Sequence, residues 1–115
     1  MKTVSKKQSA INRELKRVYK EMELNRGQYC TGCGKSGIPL SHSHYIARSR
    51  RKDLETDPNN ITYHCLSMGR KGCHDLWEGT LRDKQRLLDF HRNMEYIVEK
   101  DYEYYHYITE LNSKL

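Results

Sequence analysis

The stretch "CTGCGKSG", residues 30–37, holds Cys30 and Cys33 in a turn rich in glycine and small polar residues. Two thiolates at this spacing can bind one tetrahedral zinc ion side by side. Cys65 and Cys73 form a second, wider pair, and 31 residues separate the two pairs. The four cysteines predict a structural zinc site that is closed to substrate. Free cysteines, two disulfides, or a site in which His64 replaces one cysteine are the alternatives.

The composition predicts one small, basic domain. A chain of 115 residues fits a single domain, 1–115, and its hydrophobic fraction of 36% allows only a modest core that a bound metal would support. The formal net charge is +6 and the pI about 9.2, a balance that favours polyanions such as nucleic acid. The charge is concentrated early, because residues 25–52 contain no acidic residue.

Apolar periodicity predicts helices on both sides of a central module. A basic helix is expected over 5–25, where Ile11, Leu15, Val18 and Met22 recur at helical spacing. The module 28–79 contains two candidate strands, "IPLSHSHYIA" and "NITYHC", and a helix start at "CHDLWEG". The segment 80–115 is again helical, as one helix or as two with a break near Lys100. The fold class is therefore α+β.

The chain has no apolar run near the ~18 residues that a membrane span needs. Its first residues are polar, and no apolar segment typical of a secretory signal follows them. We therefore expect a cytoplasmic protein without a membrane partner. In that reducing setting cysteines serve as metal ligands more often than as disulfides.

The motifs of the central module follow one another in a specific order. The C-x2-C pair precedes "SHYIARS", then comes "NNITYHC" with Asn60 five residues before Cys65, then "CH" at Cys73–His74. In this order the sequence resembles the HNH endonucleases, also called ββα-metal or His-Me finger nucleases. The similarity covers residues 28–79. The "HYIAR" form after a basic helix also resembles phage recombination nucleases of the Rap type, which implies a phage-encoded protein.

The resemblance implies a role for each of three side chains. Hydrolysis of a phosphodiester needs a base that activates water, and the neutral imidazole of His44 suits that task because its pKa is near 7. Asn60 would orient this base through a hydrogen bond. His74 would bind one divalent ion, Mg²⁺ or Mn²⁺, against the scissile phosphate. The products would carry 5′-phosphate and 3′-hydroxyl ends.

One position departs from the family pattern. Most members have Asp or His immediately before the base, as a second ligand of the catalytic metal, whereas this chain has Ser43. His42 would share a strand face with His44, and Glu78 would share a helix face with His74. Either of them, or water, could complete the ligand set in place of Ser43.

A basic run follows the proposed base: Arg48, Arg50, Arg51 and Lys52. Arginine forks match phosphate oxygens, so the run predicts contacts with the backbone of duplex or branched DNA. A single active site would nick one strand of a duplex. Cutting both strands would require a homodimer or two separate events. The alternative to a nuclease is a zinc-stapled nucleic-acid-binding module without catalysis. Ser43 favours this interpretation because it stands where most of the family have a ligand of the catalytic metal.

Overall fold

The computed structural model describes residues 5–67 and 70–111, and one antiparallel pair of strands lies at the centre of its α+β fold. The undescribed residues 1–4 and 112–115 are the ends of the predicted domain 1–115, and residues 68–69 belong to the loop between Cys65 and Cys73. In chain order the elements are α1 (Lys6–Asn25), β1 (Leu40–His44), two 3-10 turns (Lys52–Leu54 and Pro58–Asn60), β2 (Ile61–Cys65), α2 (Cys73–Trp77), α3 (Leu81–Gln85), α4 (Phe90–Lys100), α5 (Tyr102–His106) and a π-helical turn (Tyr107–Leu111).

Helix α1 is the basic helix that the sequence predicts over 5–25. The Ser5 hydroxyl caps its first turn and accepts a hydrogen bond from the backbone N–H of Gln8 at 3.1 Å. Its buried face consists of Leu15, Val18 and Met22, which cluster with two residues of β2. The helix therefore covers one face of the two-stranded sheet, and its cations face outward.

The strand register determines which side chains share a face. Ser43 of β1 lies opposite Thr62 of β2, and the next pair in the ladder is His44 with Ile61. Directly opposite residues point to the same side of a sheet, and neighbours along a strand point to opposite sides. Because Ile61 packs on α1, His44 lies on the α1 side, whereas Ser43 points to the opposite side.

A second core lies on that opposite side of the sheet. Trp77 of α2 packs there with Ile97 of α4 and with Ile108 of the π-helical turn. The carboxyl-terminal segment breaks between α4 and α5 at Asp101, whose carboxylate accepts a hydrogen bond from the Tyr104 N–H at 3.1 Å. The sequence predicted either one helix or two over 80–115, and the described part of this segment, up to residue 111, has three short helices and the π-helical turn.

A buried polar network joins the cysteine turn, the sheet and the start of α4. Nε2 of His64 lies 3.0 Å from Oδ2 of Asp89, and the Thr31 hydroxyl donates to the same oxygen at 2.6 Å. The Thr31 and Thr62 hydroxyls lie 2.8 Å apart. Burial alone would raise the pKa of Asp89, but the bonds from His64 and Thr31 outweigh burial and lower that pKa. His64 therefore serves this network.

We expect Asp89→Ala to lower the free energy of unfolding by about 3 kcal/mol, because it leaves the buried His64 imidazole without its acceptor and removes the shortest bond of the Thr31 hydroxyl. Urea denaturation at fixed zinc concentration measures this. Glu95→Ala, which removes an exposed carboxylate from α4, is the matched control and should change stability by less than about 0.5 kcal/mol. Equal stability of the two variants would contradict a structural role for the network.

Candidate functional site

The four cysteines converge on one point between the residue 30–37 turn, the end of β2 and the start of α2. Their Sγ atoms all lie within 4.8 Å of one another, and no disulfide joins them. Four sulfurs around one zinc ion at Zn–S distances of about 2.3 Å would lie about 3.8 Å apart. The Sγ atoms of Cys33 and Cys65 are 4.0 Å apart, which agrees with that geometry. The cluster is thus arranged to hold one metal ion, consistent with structural zinc.

Backbone groups around the cluster fit thiolate ligands. The N–H of Cys65 donates to Sγ of Cys30 at 3.3 Å, and the N–H of Cys73 donates to Sγ of Cys65 at 3.2 Å. Gly34 has φ of 79°, the left-handed conformation that closes the turn, and glycine adopts it without strain. A Cβ atom at Gly32 would lie 2.8 Å from Cβ of Cys73, so the turn needs glycine there as well.

A cavity of about 570 Å³ lies beside β1 and α2, away from the sulfur cluster. Its polar lining consists of His42, His44, Arg48, Ser49, His74, Glu78 and Lys84, and aromatic walls come from Tyr19, Tyr45, Trp77 and Tyr104. The cavity therefore brings together the predicted base, the predicted metal ligand His74, two of its candidate co-ligands and the first arginine of the basic run.

One hydrogen bond determines the tautomer of His44. Its Nε2 lies 2.9 Å from the backbone oxygen of Glu55, and a carbonyl oxygen can only accept. Nε2 must therefore carry the proton, which leaves the lone pair of a neutral ring on Nδ1. Burial lowers the pKa of His44, Arg48 lowers it further, and the bond to Glu55 offsets part of this shift. The ring is thus held as a neutral imidazole with a basic Nδ1.

No hydrogen bond joins the Asn60 side chain to His44, contrary to the expectation from the family resemblance. It is fully buried; its Oδ1 accepts from the N–H of Ile46 at 2.9 Å, and its Nδ2 donates to the backbone oxygens of Ile46 and Leu54 at 3.1 Å. Leu54 immediately precedes Glu55, whose carbonyl receives the His44 bond. Asn60 therefore braces the loop that orients the base.

His74 is also fixed in one tautomer. The Ser41 hydroxyl donates to the backbone oxygen of His64 at 2.9 Å, so at its 3.1 Å contact with Nδ1 of His74 the Ser41 oxygen must accept. The lone pair of a neutral His74 then lies on Nε2, which is 3.4 Å from Oε1 of Glu78. A lone pair and a carboxylate repel each other unless a proton or a metal cation lies between them. The pair can therefore hold a cation.

The other two candidate ligands differ in position. His42 lines the cavity, but its ring stacks on Tyr19 at a centroid distance of 3.8 Å, and its Nε2 is buried without a hydrogen-bond partner. Ser43 is 2% exposed and lies outside the cavity lining, because the strand alternation turns it to the other face. The buried Ser43 hydroxyl is therefore not among the cavity groups that could contact a metal ion held by His74.

Arg48 is the one member of the basic run that lines the cavity. Its Nε donates to Oε2 of Glu55 at 2.5 Å, and 44% of the side chain is exposed, whereas Glu55 is buried. The guanidinium is therefore held at the cavity mouth by the same residue whose backbone oxygen orients His44.

The arginines that follow stabilise the loop. Arg50 donates to the carboxylate of Asp101 at 2.9 and 3.4 Å and lies over the Tyr104 ring. Arg51 donates to both oxygens of Asp53 at 2.8 and 2.7 Å. Lys52 is exposed at the first 3-10 turn. Much of the charge of the run is therefore already paired within the chain.

Three residues of the cavity region have roles that the sequence did not indicate: Glu55, Tyr19 and Lys84. The Lys84 ammonium is buried, donates to the backbone oxygen of Gly79 at 2.7 Å and lies 5.4 Å from the centroid of the Trp77 ring. Burial lowers its pKa. No local pattern distinguishes this lysine from the many surface lysines, because its position depends on how α2 and α3 meet.

The chain matches no protein-family model, no curated protein and no solved structure in a comparison with known proteins. Within residues 5–67 and 70–111, no helix has the length and apolar character that crossing a bilayer requires. The resemblance to HNH endonucleases therefore rests on the motif residues of the sequence alone.

The purified protein should contain about one zinc ion per chain, and Cys33→Ser should lose it. Structural zinc contributes about 10 kcal/mol or more to the folding of small domains, so the variant should unfold at a much lower temperature. Elemental analysis and thermal circular dichroism measure both effects. Ser36→Ala, in the same turn, is the control and should keep its zinc. A metal-free chain with an unchanged melting temperature would contradict the zinc assignment.

Proposed function

We propose that this chain is a metal-dependent endonuclease of the HNH class that hydrolyses phosphodiester bonds of DNA. In this proposal β1, β2 and α2 form the ββα-metal finger, and the sulfur cluster is its structural zinc site. The observation that carries the proposal is the state of His44: a neutral imidazole with Nε2 bound to a carbonyl and a basic Nδ1, in a cavity that also holds His74, Glu78 and Arg48.

The reaction begins with a water molecule next to Nδ1 of His44. As the water oxygen attacks phosphorus, Nδ1 takes its proton. The bond from phosphorus to the 3′-oxygen breaks, and its electron pair stays on that oxygen, which solvent then protonates. The products are a 5′-phosphate and a 3′-hydroxyl. Burial lowers the pKa of His44, which supports this role because it favours the unprotonated ring that a general base requires.

Three further groups of the cavity would supply or bind positive charge near the phosphate: the His74–Glu78 pair, Arg48 and Lys84. His74 and Glu78 would bind the divalent ion, Mg²⁺ or Mn²⁺, whose charge would stabilise the leaving oxygen. Arg48 uses its Nε on Glu55, which leaves its terminal nitrogens to donate to a phosphate oxygen. The buried ammonium of Lys84 lines the same cavity and adds positive charge near Glu78.

The second candidate is a zinc-stapled nucleic-acid-binding module without catalysis. It is favoured by Ser43, which lies outside the cavity, so that the ligand set for a catalytic metal reduces to His74, Glu78 and the stacked His42.

In the nuclease proposal, one active site cuts one strand at a time, so we expect nicked products first. A double-strand break would need two events or a homodimer.

His44→Ala should lower plasmid nicking in Mg²⁺ or Mn²⁺ by at least about 100-fold, the usual contribution of a general base. Gel quantification of nicked plasmid measures the rate. His91→Ala, which removes an exposed histidine of α4 that lies outside the cavity, is the control and should nick at the wild-type rate. Absence of nicking by the wild type in either metal, with DNA binding intact, would favour the binding module instead.

Glu78→Gln should raise the Mg²⁺ concentration for half-maximal nicking by about tenfold or more, because it removes the charged partner of His74 at the cation position. A metal titration of the initial rate measures this shift. Glu95→Gln removes the same charge from an exposed position of α4 and should leave the titration unchanged. A Glu78→Gln titration that overlays the wild type would exclude this carboxylate as a ligand.

A further inference from the structure

A second groove, of about 360 Å³, joins the cavity along helix α1. It is lined by Asn12, Arg13, Leu15, Lys16, Tyr19 and Arg48. Tyr19 and Arg48 belong to both the groove and the cavity. The two depressions are therefore neighbours, and the groove lies on the side of the cavity that α1 forms.

The polar lining of this groove is cationic. None of its lining residues is acidic, and Arg13 and Lys16 are exposed and form no ion pair with another described residue. Arg17, on another face of the same helix, differs: it bonds with Glu14 and Glu21, and is thereby neutralised locally. Arg13 and Lys16 thus place unpaired charge in the groove, whereas the charge of Arg17 is paired within α1.

The junction between the groove and the cavity consists of two stacked aromatic rings, those of Tyr19 and His42, and the guanidinium of Arg48. Tyr19 stacks on His42 with an interplanar angle of 11°, which fixes α1 against β1 at this point. Arg48 projects beside it and is held by Glu55. The cavity and the groove therefore share the cation of Arg48, and the groove adds the cations of Lys16 and Arg13.

We propose that this groove binds the phosphodiester backbone of the substrate strand next to the cleaved bond. The chain would thus act on a polynucleotide that extends past the cavity along α1, and would hold short diesters less well. This inference rests on the proposed nuclease function and adds a substrate-binding surface outside the region 28–79. Contacts of this kind position a strand without reading its sequence.

The test compares two variants with the same loss of charge. R13Q/K16Q removes both groove cations, and K6Q/K7Q removes two exposed lysines of α1 that lie outside the groove. Binding of a fluorescent 20-nucleotide DNA strand and of its duplex is measured by anisotropy without added divalent ion, as a function of salt. Loss of two phosphate contacts should reduce the slope of log K against log salt by about 1.4 for the strand or about 1.8 for the duplex. K6Q/K7Q should change it much less.

Cleavage of two substrates separates this inference from the nuclease proposal. R13Q/K16Q should lower kcat/KM for DNA and leave unchanged the hydrolysis of bis(p-nitrophenyl) phosphate, a diester that occupies the cavity alone. If both variants change binding and DNA cleavage equally, the groove has no specific role and the inference is overturned. If the wild type cleaves neither substrate while only R13Q/K16Q loses salt dependence, the groove assignment stands and the nuclease proposal fails.

Discussion

The convergence of four cysteine sulfurs is the constraint on which the rest of this structure depends. It joins the residue 30–37 turn, the last residue of β2 and the first residue of α2. The sheet has only two strands of five residues each, and such a pair is marginally stable alone. By fixing β2 to α2, the cluster sets His74 at a defined position relative to the strand that carries His44. The arrangement of the cavity thus depends on a cysteine cluster that lies outside it.

The sequence predicted those features that local chemistry determines. The C-x2-C turn, the Ser5 cap and the apolar spacing of Leu15, Val18 and Met22 each act over a few residues, and their spacing indicated a cysteine centre and a first helix close to those in the structure. Asn60 was different. The HNH resemblance implied a hydrogen bond from Asn60 to His44, but the Asn60 amide group bonds to the backbone of the loop 46–54. Only the path of that loop could reveal this.

The basic run shows why charge density alone is a weak guide to a binding surface. Arg50 and Arg51 reach carboxylates that lie far along the chain or within the same turn, at Asp101 and Asp53, and so hold the loop against the helix break. Such long-range pairs cannot be read from a sequence without knowing which helices meet. Of the basic run, Arg48 alone lines the cavity, and Lys84 of α3 lines it as well.

The register of β1 against β2 has a consequence for the identity of the base. Ser43 and His44 are neighbours on an edge strand, and they differ in role because the ladder pairs them with Thr62 and Ile61. A slip by one residue would exchange the two faces and put serine where the imidazole now stands. Cys65 anchors one end of β2, and at the other the backbone oxygen of Asn60 accepts from the N–H of Tyr45 at 2.9 Å. The two anchors therefore hold the strands in this register. In this register it is His44, and not Ser43, whose side chain lies on the α1 side and can accept a proton there.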